Sequence, residues 1–158
     1  MERPVIKMVS IIKNRLVVLG VIAVLASVIS AAIAHEGASG IVKMRMDKFK
    51  QSQQQLKSLI AHTKAEKYDE VARLAGYLAE WGAQIPAHFP KGSTQKPTEA
   101  RPEIWLDFEN FTAKAEAFRL AAIRIEEAAR LNDKGTVSQA IQDTAASCKS
   151  CHAMFRAK

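Results

Sequence analysis

Cysteine is nearly absent from this chain of 158 residues: there are two, Cys148 and Cys151, both inside the stretch CKSCH. With so few thiols, no disulfide framework of the kind that holds small secreted folds together is available. Glycine (7) and proline (5) are also scarce, which argues against low-complexity or turn-rich all-β architecture. Aromatic residues make up 6%, and no basic run alternates with them, so nucleic-acid binding finds no support. There is no Ser/His/Asp set, no pair of carboxylates placed for a common pocket and no glycine-rich phosphate loop. The expectation is therefore a protein that is not an enzyme. No stretch alternates in the manner of a strand. What remains, 48% hydrophobic and 25% charged residues, is the composition of one folded helical domain.

The net charge of +7 suggests an anionic partner at first sight. Arg3, Lys7, Lys13 and Arg15 against Glu2 supply three of those charges, and the remaining +4 is ordinary. That basic segment precedes an apolar run from Leu16 to Ile33 that ends in Ala32-Ile33-Ala34. This order is that of an export signal cleaved after Ala34, leaving a domain of residues 35–158. The run is also long enough to be read as an uncleaved membrane anchor. Either way the body of the protein is expected in the periplasm, with the basic end left in the cytoplasm.

In an oxidising compartment a Cys148–Cys151 bridge would close only a tiny loop. A structural zinc site needs four ligands, and only three candidates lie close together. The strand-helix setting of a thioredoxin-like thiol pair is missing. The order C-x-x-C-H is instead that of c-type haem attachment. On a helix Cys148, Cys151 and His152 project from one face, so two thioethers can hold one haem c while the His152 imidazole reaches the iron.

Four stretches carry a helical apolar repeat. The first runs from about Ser39 to Lys64 through Val42, Phe49, Leu56, Leu59 and Ile60. The second, with Asp69 as its expected cap, carries Val71, Leu74, Leu78, Trp81 and Ile85 and stops at Pro86. After the loop PKGSTQKPTEAR, the third opens at Pro102 and Glu103 and carries Ile104, Phe108, Phe111, Ala115, Phe118, Ala122, Ile125 and Ala129. The turn LNDKG leads to the fourth, with Val137, Ile141, Thr144, Cys148, Cys151 and Phe155 on one face. The expected fold is all-α, an antiparallel up-down four-helix bundle with the haem on the last helix.

With FP-x-GS after the second helix, RPEIW opening the third and CKSCH near the end, the chain from about Ser39 to Lys158 resembles the cytochrome c′ family. The resemblance implies a haem inside the bundle with His152 as its single protein ligand. The iron's other face would be covered by the residue four places after an arginine of the first helix, here Phe49 after Arg45. A phenyl ring cannot ligate iron, so five-coordinate, high-spin iron follows, open to NO and CO or to single electrons. The alternative is a six-coordinate, low-spin electron carrier ligated by Met46, although Met46 and Met44 read more simply as packing. Resemblance also gives Arg45 a haem propionate and sets Arg156 beside the proximal imidazole, the plainer reading of Arg45 being a surface ion pair. It further implies a homodimer formed through the first two helices. His35, His62 and His88 read as exposed or capping residues, and Trp81 and Trp105 as core or groove aromatics.

Overall fold

The computed structural model describes residues 40–157. The expected export signal or anchor lies outside the described residues. Helix α1 spans Gly40–Lys64, α2 Tyr68–Gln84, α3 Glu103–Leu106, α4 Phe108–Arg130 and α5 Lys134–Phe155, with a 3-10 turn over Pro86–His88. Among the described residues there is no strand, only an isolated antiparallel bridge between Ala100 and Arg156. The four long helices form the expected all-α bundle.

Two corners are built alike. After α1, Glu66 takes a left-handed φ of 56° and the Lys67 amide donates to the His62 carbonyl at 3.0 Å. After α4, Asn132 (φ 54°) does the same while the Asp133 amide donates to the Ala128 carbonyl at 2.9 Å. Both satisfy carbonyls left orphaned by the helix end. Asp133 then caps α5 by accepting from the Thr136 amide at 3.0 Å, so LNDKG stops one helix and starts the next.

Two expectations at helix starts are corrected. Asp69 is not the cap of α2: it lies inside the first turn with Glu70, where its charge meets the helix dipole. The third predicted helix is broken at Asp107 (φ −132°, ψ 62°), whose Oδ1 accepts from the Asn110 amide and so caps the start of α4. The apolar repeat crosses the break because Ile104 and Phe111 are both buried on the same side.

The core joins Leu59 of α1, Val71, Leu78 and Trp81 of α2, Ile104 of α3, Phe111, Ala122 and Ile125 of α4, and Val137, Ala140 and Phe155 of α5. Helix α2 packs on α4, α4 on α5 and α1 on α2, whereas α1 and α5 barely meet. The α2–α4 approach is very close at Gly82, where a Cβ would lie 2.8 Å from Arg119 Cβ and 2.9 Å from its Cα. Three sides of the bundle are thus closed and the fourth, between α1 and α5, is a loose seam.

Candidate functional site

Helix α5 carries CKSCH over its last two turns. Asp143 and Ser150 meet Arg124 (3.5 Å) and Lys114 (2.9 Å) of α4 on one flank. Ile141, Ala145, Cys148 and His152, spaced four, three and four residues apart, form a stripe on the other flank, turned toward the seam. Both cysteines are unbridged, half-buried and packed against the core. Burial raises the Cys148 thiol and pushes that of Cys151 up to about 11. Both are protonated at neutral pH, which is unlike a nucleophilic or redox-active pair. Among the described residues no three His, Cys, Asp or Glu side chains converge as a metal cage.

Packing around the His152 ring, and then the nearby Arg156 cation, lower its pKa. The imidazole is therefore neutral at neutral pH and keeps the lone pair that a metal ligand requires. Beside it opens a shallow depression lined by Glu99, Lys149, His152, Ala153, Arg156 and Ala157.

Across the seam, α1 leaves apolar surface uncovered: Met46 is 39% exposed, Phe49 36% and Ile60 37%. The Phe49 ring meets Trp81 edge-on at 5.2 Å and Phe89 at 6.3 Å. From Phe89 an aromatic series continues to Phe111 (4.8 Å) and Phe155 (5.4 Å), joining α1 to the end of α5. Among the described residues, buried Trp81 has no partner for its indole Nε1. A large planar apolar group suits this seam, because protein side chains leave Phe49, Met46 and the two thiols only partly covered.

Arg45 is held inside the protein, which rules out the plainer reading of it. It is 2% exposed, the opposite of a surface ion pair. One terminal nitrogen donates to the Ser93 hydroxyl (2.7 Å) and the His88 carbonyl (3.3 Å). The other donates to the Ser93 carbonyl (2.6 Å) and the Thr98 hydroxyl (2.8 Å), and the guanidinium lies 4.3 Å from the Phe89 ring centre. Its fork is spent on the α2–α3 loop, leaving Nε for anything else. Ser93 and Thr98 were missed from sequence because polar residues in a loop give no sign of which distant cation they will meet.

Arg156 follows His152 by one turn, its amide donating to the His152 carbonyl at 3.2 Å, and both side chains border the same depression. Helix α5 ends at Phe155, and Arg156 is extended and bridged to Ala100. The Arg101 amide donates to the Phe155 carbonyl (3.0 Å) and the Ala157 amide to the Glu99 carbonyl (2.8 Å). The Arg156 Nε donates to Glu99 at 2.6 Å, close enough to His152 to influence it but tied to a carboxylate. His88 bonds the Gln84 carbonyl through Nδ1 at 2.9 Å as a cap, and Trp105 donates to the Phe89 and Pro90 carbonyls, each at 3.0 Å. Met44 is 51% exposed. His62 lies in the last turn of α1, and His35 lies outside the described residues.

The family model for cytochrome c′ matches residues 40–156. The cytochrome c′ of Rhodospirillum rubrum is 33% identical over 90 residues, 56% of this chain and 61% of that protein, so the chain matches about six tenths of that relative's length. That of Rhodopseudomonas palustris is 32% identical over 125 residues, 75% of this chain and 82% of the relative. Among solved structures, the nitric oxide complex of a variant cytochrome c prime from Alcaligenes xylosoxidans superposes with a TM-score of 0.67 at 27% identity, covering 75% of this chain and 94% of that one. Proteins of this family carry covalently bound haem c, and the spacing of Cys148 and Cys151 followed by His152 is the one its attachment needs. A bundle closed on three sides, with that motif on its last helix and a match over residues 40–156, places the chain in the cytochrome c′ family.

Proposed function

We propose that this protein is an exported monohaem c-type cytochrome that binds small diatomics such as NO and CO at five-coordinate, high-spin iron, or passes single electrons. Cys148 and Cys151 would hold the haem through thioethers and His152 would supply its protein ligand. The observation that carries the reading is the pairing, at one loose seam, of the Cys148/His152 flank of α5 with the part-exposed hydrocarbon of Phe49 on α1. When bound, the haem supplies an iron that exchanges one electron and takes a gas ligand. The protein's own part is to present a neutral imidazole from α5, to exclude water with Phe49, Trp81 and Phe89, and to offer no hydrogen bond from the phenyl ring. The nitric oxide complex of the Alcaligenes xylosoxidans variant supports the gas-binding side of this reading.

Periplasmic location rests on the Lys7–Ala34 pattern of the sequence. Self-association through α1 and α2 is part of the same reading, supported by Met44 and Tyr77 exposed on those helices. One absorption spectrum of purified protein, with and without CO, tests the site. A high-spin Soret band that shifts with CO is the expected result. A low-spin spectrum indifferent to CO would assign the iron to Met46 instead, and no Soret band would remove the haem altogether.

A further inference from the structure

Besides Lys48, helix α1 carries lysines at residues 43, 50, 57 and 64, one every seven residues. At 3.6 residues per turn and 1.5 Å rise, such a repeat is nearly a straight line, with charges about 10.5 Å apart over about 32 Å. All four are exposed, and the one acid on the helix, Asp47, pairs with Lys43. Lys50, Lys57 and Lys64 have no carboxylate partner among the described residues, as is true of Lys48, Lys67, Lys91, Lys96, Lys114 and Lys149; the regular interval along one helix is what sets them apart.

The line has a definite flank. Lys48, Gln51 and Gln55 border a cleft against Tyr77, Glu80 and Gln84 of α2. The lysine line lies about 140° round the helix from that cleft, clear of the α2 contact. Beyond α1's end the first acid in the chain, Glu66, is held by Lys134 at 2.8 Å. Nothing on α5 replaces it, since Asp143 is turned to Arg124 and Asp133 caps its own helix.

We propose that this lysine line is the docking surface for an acidic protein partner. Spacing and screening together choose the partner's form. The Debye length at physiological ionic strength is about 8 Å, shorter than the interval between lysines, so each ammonium needs a carboxylate of its own close by. At about 0.01 M the length grows to about 30 Å and the line acts as one field that steers encounter. A protein surface with fixed, spaced carboxylates meets both conditions. The proposal is independent of the haem reading.

The test uses poly-L-glutamate as probe, titrated into the purified full protein at about 20 mM and about 150 mM NaCl. Three proteins are compared: wild type, the triple variant K50A/K57A/K64A, and a control of equal net charge, K67A/K91A/K96A. The expected result at low salt is a tenfold or greater rise in dissociation constant for the line variant and less than twofold for the control. Equal losses in both variants would reduce the effect to bulk charge and overturn the proposal. So would absence of wild-type binding, or a line-dependent preference for vesicles containing phosphatidylglycerol over the polypeptide.

Discussion

Replacing Arg45 with Met removes a guanidinium that ties α1 to the loop after α2, and the cost follows from what is stranded. The Ser93 hydroxyl keeps a bond by donating to the Pro90 carbonyl at 2.8 Å, and the Thr98 hydroxyl still accepts from the Ala100 amide at 3.2 Å. The His88 and Ser93 carbonyls are the acceptors that lose this donor. An orphaned buried acceptor costs about 1–3 kcal/mol, and burial of the charge, which already lowers the Arg45 pKa, refunds part of that on removal. The net expectation is about 2–3 kcal/mol. Against a typical domain stability of about 5–15 kcal/mol this is a large share, and it corresponds to a fall of about 10 °C in Tm. Urea titration of wild type, Arg45→Met and Arg45→Lys should show the midpoint falling at constant slope, with Lys recovering about half because one ammonium serves one carbonyl at a time. A loss below about 0.5 kcal/mol for Met would refute the assignment of Arg45 as the tie between helix and loop.

Gly82→Ala should destabilise by about 1–3 kcal/mol, since its Cβ would meet Arg119 backbone, which cannot yield. Gly76→Ala meets only the flexible Glu126 side chain, at 3.3 Å, and should be neutral or stabilising by up to about 1 kcal/mol; thermal melts of both variants check the contrast. The Asp133 pKa is lowered by its bonds to Thr136, so its capping contribution is present above the ordinary value of 3.8 and lost as pH falls through the lower folded value. The stability gap between wild type and Asp133→Asn should accordingly be flat near neutral pH and shrink below about pH 4 in acid titration, and a gap unchanged in acid would contradict the cap. Phe49→Met should convert a CO-sensitive high-spin spectrum toward a low-spin one, because a thioether donates to iron and a phenyl ring does not.

The bundle was legible in the sequence because its signals are local. Val71, Leu74 and Leu78 announce a helical face from spacing alone, and CKSCH needs only five consecutive residues to declare its chemistry. The α3–α4 break was hidden because Ile104 and Phe111 keep one apolar phase across Asp107, whose capping bond reaches a residue three places on. The protein partners of Arg45 were hidden for another reason: four residues from Phe49 fixes its helical phase but not those partners, which arrive from positions 88 to 98. Arg156 required knowing that α5 stops at Phe155 and that the chain then runs beside residues 99–101.

The contact of Gly82 with the backbone of Arg119 has a mechanical consequence. Where backbone meets backbone so nearly that an added methyl must force a shift, the α2–α4 pair resists sliding. The sparsely packed edge between α1 and α5 is the border expected to yield first when a molecule enters or leaves. Few contacts there and a close backbone approach opposite put the softer side of the bundle beside the Cys148/His152 flank.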